Sequence, residues 1–369
     1  MTAANTAVSA AESVTAADRH PFVARVREYA DRVLRPEALS TDRDGVAAGR
    51  IGELAALGLL NHQAPREYGG LAIDRDTDRR LHEIIAGACF NTWLVWAQHA
   101  PMAGRIVESR KPGEPVSELA ERILRGELLL GAGVSDVRRF PGHYIAAERT
   151  SGGWIFTGAI SWVSGWGLNN ALTVAAVERQ TETVVTALVP VSDRTRSTGP
   201  LSLGAVAGSR TARVELDGVF VPDEHVLSAQ SLEKTRFNDI GTASDARGHH
   251  FGLAETVLQE LEQSGQPLAQ DVAATWRPRI ARIRSTAYEL SDEATAAGGG
   301  PHRIDERLAT KVASGEALST ITRALLIARA GRGLSGDDTA QLHARSALFV
   351  LVQGQTTDVR RAQLAELAR

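Results

Sequence analysis

Trp154-Ile155-Phe156-Thr157-Gly158, followed by Trp162-Val163-Ser164-Gly165, is the stretch on which the reading of this chain turns. Aromatic and β-branched residues that run into a Ser-Gly break read as a strand leading into a turn. Comparable β-prone runs flank it at Ile145–Glu148, Ala171–Val177 and Thr183–Val189, separated by small polar and charged turns. A last run, Ala212–Val221, alternates like a half-buried strand and is closed by Pro222. Such a region predicts a compact β-barrel or sandwich.

Working outward, the pattern becomes helical on both sides. Upstream, Phe22, Val23, Val26, Tyr29, Ala30 and Val33 recur at three- and four-residue steps until Pro36 ends the run. Further helices are predicted at Arg50–Leu60, Arg79–Ala86, Trp93–Ser109 and Pro115–Arg125. Downstream the pattern predicts Thr235–Ser264, Val272–Ala297 with a kink or late start at Pro278, Ile304–Ala330 and Thr339–Leu367. Short Gly/Pro-rich breaks between these four suggest an antiparallel bundle. The expected fold class is therefore α+β and multidomain. An N-terminal α-helical domain covers 21–128, a β-barrel domain 129–230 and a C-terminal four-helix bundle 231–369. The small, polar residues 1–20 have little to bury and are expected to form a disordered tail.

Composition narrows the function. The chain has 369 residues and a net charge of −3, so nothing in its balance draws it to nucleic acid or an anionic membrane. The lone cysteine, Cys89, rules out a disulfide scaffold and any Cys-based metal site. The histidines lack metal-ligand spacing, so no metal is expected. No apolar stretch is long enough to span a bilayer, and with no export signal a cytoplasmic location is the expectation. Gly331-Arg332-Gly333-Leu334-Ser335-Gly336 has the letters of a dinucleotide turn, but a helix rather than a strand precedes it, so it reads as a helix–helix connection. Five of the six tryptophans fall between positions 93 and 166, a first hint of a site for something flat and apolar.

Read in order, these segments resemble the acyl-CoA dehydrogenase superfamily of flavoproteins from about Val26 to Leu367. The resemblance rests on Leu57-Gly58-Leu59-Leu60 with Pro65-Arg66-Glu67-Tyr68-Gly69-Gly70-Leu71, and on Gly131-Ala132-Gly133-Val134-Ser135-Asp136. It continues through the Trp154–Gly165 stretch and through Asp217-Gly218-Val219-Phe220-Val221-Pro222 with His225-Val226-Leu227. It implies FAD held between the β-domain and the bundle, with Ser135 and Ser164 as polar contacts and Trp162 against one flavin face. Thr356 joins these as a cofactor-binding candidate. Trp96 and His99 lie on a helix that the resemblance places beside the substrate cavity, and Arg236 is a candidate for an anionic CoA or carrier-protein pantetheine. A thioester of CoA or a carrier protein is the implied small-molecule partner, and a homodimer or homotetramer the implied assembly.

The chain also departs from the family. In the turn ahead of the last helix, where the family usually carries a Glu base, stand Gln353 and Gly354. A neutral amide cannot act as a general base near neutral pH. Some relatives carry the base on the first bundle helix, and that position falls on Thr242, with Asp239 and Asp245 within one turn. Asp245 is the catalytic candidate. The expected function is α,β-dehydrogenation of an acyl thioester by an FAD-dependent oxidoreductase. Two alternatives stand beside it: a flavin-dependent monooxygenase on the same fold, and a cofactor-poor structural subunit of a hetero-oligomer.

Overall fold

The computed structural model describes residues 16–109 and 114–369. Pro21 opens α1 (Pro21–Tyr29), and the His20 Nδ1 accepts the Phe22 N–H, so a ring nitrogen caps the first turn. Residues 1–15 of the expected disordered tail lie outside the described residues, and within 16–20 Ala17 is buried. Asp18 accepts hydrogen bonds from Arg27 and Arg80, which ties this segment down. The helices α2 (Ala38–Asp44), α3 (Ala48–Leu57), α4 (Arg75–Ala88), α5 (Phe90–Glu108) and α6 (Glu118–Leu124) complete the N-terminal region.

The middle region is an eight-stranded sheet: β1 (Leu130–Gly133), β2 (Ala146–Thr150), β3 (Gly153–Val163), β4 (Ala171–Glu178), β5 (Thr183–Pro190), β6 (Thr195–Arg196), β7 (Ala212–Pro222) and β8 (Val226–Ser231). The hydrogen-bonded order is β6-β7-β3-β2-β4-β5-β8, and β1 pairs with β4 in parallel. Alternate residues of five strands, among them Phe156, Val174, Val185 and Val214, meet in one apolar cluster. The sheet therefore curls around its own core, as a barrel-like domain requires.

The C-terminal region contains α7 (Leu232–Ala243), α8 (Gly248–Glu262), α9 (Pro267–Ala296), α10 (Ile304–Arg329), α11 (Thr339–Val352) and α12 (Thr357–Leu367). Two helices expected to be continuous are broken. The expected Thr235–Ser264 helix divides between α7 and α8. There the Ser244 hydroxyl bonds back to the Ile240 carbonyl, and His250 Nδ1 accepts the Arg247 N–H to start the next helix. The expected Thr339–Leu367 helix divides at Gln353–Thr356, where Gly354 takes a left-handed φ of 65° and the Thr356 hydroxyl caps α12. Conversely, α9 starts at Pro267 and passes through Pro278 as one helix.

The N-terminal helices and the bundle share a single apolar core, in which Leu81, Ile85 and Trp93 meet Phe251, Leu258 and Ile321. The sharing is closest where α4 crosses α8. A Cβ at Gly252 would lie 2.0 Å from the Glu83 carbonyl oxygen, and one at Gly87 2.6 Å from that of Gly252. Only glycine permits backbones this near. Cys89, just past α4, is buried, and burial raises its thiol pKa. No helix among the described residues is long and apolar enough to cross a membrane.

Candidate active site

The three regions enclose a cavity of about 530 Å³, in the size range of small-molecule sites. One wall comes from the sheet. The turn after β1 supplies Val134 and Ser135, and the end of β3 supplies Trp162 and Ser164. Trp162 is 47% exposed although it is large and apolar, so its indole is available to a flat ligand. The Ser135 hydroxyl has no protein partner among the described residues, and the Ser164 hydroxyl pairs with that of Thr211 at 2.9 Å.

The facing wall comes from the helices. The α7–α8 junction brings Asp245 and Arg247, α8 brings His249 and His250, α10 brings Lys311, and the end of α11 brings Gln353 and Gly354. Trp93 of α5 stacks on His249 with ring centroids 4.2 Å apart, and His249 lies 4.3 Å from His250. Nε2 of both imidazoles and Oε1 of Gln353 are buried without a hydrogen-bond partner among the described residues. Buried polar groups are seldom left unpaired, and orphans lining a cavity are what a polar ligand would satisfy.

Charge is distributed unevenly. Arg138 is bound by both oxygens of Asp239 at 2.7 Å, and Arg75 and Arg79 share Asp292. Arg247 donates to the Thr242 carbonyl and has no carboxylate partner among the described residues. Asp245 does reach the cavity, but both its oxygens are engaged: Arg307 Nε donates to one at 2.7 Å, and the Ser291 hydroxyl to the other at 3.2 Å.

Ser135, Trp162, Ser164 and Asp245 thus come together, whereas four candidates lie elsewhere. Trp96 is fully buried and gives its indole N–H to the Leu59 carbonyl. His99 bridges the Leu60 carbonyl and the Leu130 N–H, tying α5 to β1. Arg236 donates to the Phe140 carbonyl, and Thr356 is occupied in capping α12. None of the four lines the cavity. Lys311 was not singled out by sequence, although it does line the cavity.

Several of these rings are held neutral. Burial takes His250 down to about 3 and His99 to about 4, both far below the ordinary imidazole value of 6.5. In the unfolded chain each takes up a proton near pH 6.5, so stability is independent of these groups above that pH and falls as the pH drops below it. The expected loss is about 1.4 kcal/mol per pH unit for each ring until its folded value is reached. Urea unfolding at pH 7 and pH 5 measures this; equal midpoints would refute it.

The comparisons agree with this architecture. Residues 16–109 match the family described as acyl-CoA dehydrogenase, N-terminal domain. The first helical region thus matches the acyl-CoA dehydrogenase N-terminal domain, and the chain as a whole has the fold of the acyl-CoA dehydrogenase structures. Among acyl-CoA dehydrogenases it is 22% identical to the human mitochondrial short-chain specific enzyme, across 96% of this chain and 91% of that one. The Megasphaera elsdenii butyryl-CoA dehydrogenase structure superposes with a TM-score of 0.78 at 16% identity, covering 94% of this chain and 97% of the other. KijD3, solved in complex with dTDP, superposes with a TM-score of 0.79 at 20% identity, covering 96% and 97%.

Proposed function

We propose that this chain is an FAD-dependent oxidoreductase that dehydrogenates an acyl thioester. The observation that carries the reading is the two-sided cavity, with an exposed indole and hydroxyls on the sheet wall and partnerless polar atoms on the helical wall. Those features fit a flat heteroaromatic ring with polar edges: Trp162 offers a planar apolar surface, and Ser135 and Ser164 offer hydroxyls at its rim. Bound there, FAD would supply a two-electron acceptor. Arg247, which has no carboxylate within ion-pair distance among the described residues, is placed to meet negative charge on the substrate. Trp93 and Leu94 exclude water from the α5 side.

A flavin-dependent monooxygenase is the second reading, and one observation favours it. His250 Nδ1 accepts a backbone N–H, which leaves the proton on Nε2, a buried donor with no partner among the described residues. Such a donor suits oxygen-dependent chemistry that needs no carboxylate base.

Purified protein separates the readings. The expected result is a yellow preparation whose absorbance near 450 nm (about that of any bound flavin) bleaches anaerobically with a butyryl or longer acyl-CoA. Bleaching only by NAD(P)H through a separate reductase, followed by oxygen-dependent product formation, would favour the monooxygenase. A colourless protein that takes up no FAD would sink both.

A further inference from the structure

At Thr242 and Gly354, the two positions where the family resemblance implies a carboxylate base, this chain has none, and a buried amine lies between them. Lys311 is 6% exposed, on the inner face of α10. Its Nζ donates to the Ala243 carbonyl at 2.5 Å and to the Gln353 carbonyl at 3.3 Å. Ala243 follows Thr242 directly, and Gln353 precedes Gly354, so one amine bridges the two segments that lack the carboxylate. A Cβ at Gly354 would lie 3.6 Å from that nitrogen, so the amine stands beside the place a side chain at 354 would begin. No carboxylate lies within ion-pair distance of Lys311 among the described residues, which distinguishes it from Arg75, Arg79 and Arg138 on the same cavity.

We infer that Lys311 is the proton acceptor of this site, taking the α-hydrogen of the bound thioester onto Nζ. This rests on the thioester reading given above. In the step the Cα–H bond breaks, its electron pair moves through the carbonyl to the thioester oxygen as an enolate, and the proton converts Nζ from amine to ammonium. Hydrogen-bond geometry suits the role. A neutral amine keeps two N–H groups for the two carbonyls and directs its one lone pair to a third position.

The protonation state suits it as well. Burial, reinforced by the Arg247 and Arg138 guanidinium groups, brings the Lys311 ammonium down to about 7, against the opposing pull of Asp245 and Asp239. The other titratable groups facing it, His249 and His250 of α8, are held neutral by burial. A sizeable fraction of the amine is therefore free base near neutral pH, as proton abstraction requires.

The test is deuterium incorporation into the acetyl group of acetyl-CoA in D2O by the FAD-loaded protein, read by mass spectrometry across pH 5.5–9 (about 1.5–2 pH units either side of 7). Acetyl-CoA has α-hydrogens but no β-carbon, so it can exchange without being dehydrogenated. Exchange by the wild type should rise through about pH 7 and level off as the amine deprotonates. Lys311→Met and Lys311→Arg should each lower it by about 100-fold or more. Arginine can keep the two carbonyl hydrogen bonds but cannot release its proton, so Lys311→Arg should retain the melting temperature and acetyl-CoA affinity while losing exchange. Exchange by Lys311→Arg within tenfold of wild type would overturn the proposal and leave the thioester reading standing. Wild type that binds acetyl-CoA without exchanging it would also overturn the proposal. Failure of every acyl-CoA to bleach the flavin, measured separately, is what removes the reading beneath it.

Discussion

Arg307→Leu is expected to lower the stability of the folded chain by about 3–5 kcal/mol, the usual consequence of removing one partner from a buried ion pair. Arg307 is 4% exposed and donates to four acceptors: the Asp245 carboxylate and the carbonyls of Gly241, Gly300 and His302. Leucine approximates its apolar stem but abandons all four, leaving a charge and three carbonyls in a site water reaches poorly. Because those acceptors come from α7, from the α9–α10 connection and from the α7–α8 junction, the damage spreads over three segments. The double variant Asp245→Leu with Arg307→Leu removes the stranded charge and should recover part of the loss. Urea denaturation of the wild type, both single variants and the double variant measures the coupling. Strict additivity would show that the pair does not interact. The same contacts define Asp245 as the residue that seats the α7–α8 junction on the cavity wall.

The second large effect is expected at Gly252. A Cβ there would approach the Glu83 carbonyl oxygen to 2.0 Å, well inside contact distance, and both atoms belong to the packed crossing of α4 and α8. Backbone cannot rotate out of the way as a side chain can, so Gly252→Val must push the two helices apart. Overpacking of this kind typically costs about 1–3 kcal/mol, and a backbone clash lies at or above the top of that range. Since α4 and α8 both line the cavity, flavin retention should fall together with stability. Gly52 supplies the control: it sits in α3 with nothing within 4 Å of its would-be Cβ. There Gly52→Ala should stabilise by about 0.5–1 kcal/mol through helix propensity alone. Destabilisation at both positions would point to helix-wide intolerance and refute the steric account.

How much of this was legible beforehand differs by scale. Strands with inward alternation, such as β7, announce themselves, because burying one face demands a period of two. β8 does not: its Ser228, Ala229 and Gln230 face no apolar core, and its place follows from pairing with β5, a long-range property. The break between α7 and α8 was hidden for a related reason: Ser244–Arg247 contains neither Gly nor Pro, and Asp245 within it is held by Arg307 and Ser291 of distant helices.

The site divides similarly. Ser135, Trp162 and Ser164, singled out from a local turn-and-strand motif, line the cavity because such residues keep their place beside that motif. Trp96 and His99 were misplaced because α5 is buried almost all round, so sharing a helix face with Trp93 did not distinguish core from cavity wall. Lys311 carries a signal in the sequence. Arg307, Lys311, Ser314, Leu318, Ile321 and Leu325 recur at steps of three and four along α10 and are all buried. Two cations on the buried stripe of an amphipathic helix are costly to desolvate, and each has an identifiable set of oxygen acceptors.

Cys89 extends these measurements beyond equilibrium. The chain contains one sulfhydryl, sealed behind α4 and α5, and a thiol of raised pKa is a poor nucleophile. An alkylating reagent in excess would therefore mark a molecule only after that region has opened, adding a single mass increment per chain. The rate at which the increment accumulates is a clock for opening excursions under native conditions, running without denaturant and without any assay of turnover. Faster marking of Gly252→Val than of Gly52→Ala would locate the excursion at the α4–α8 crossing.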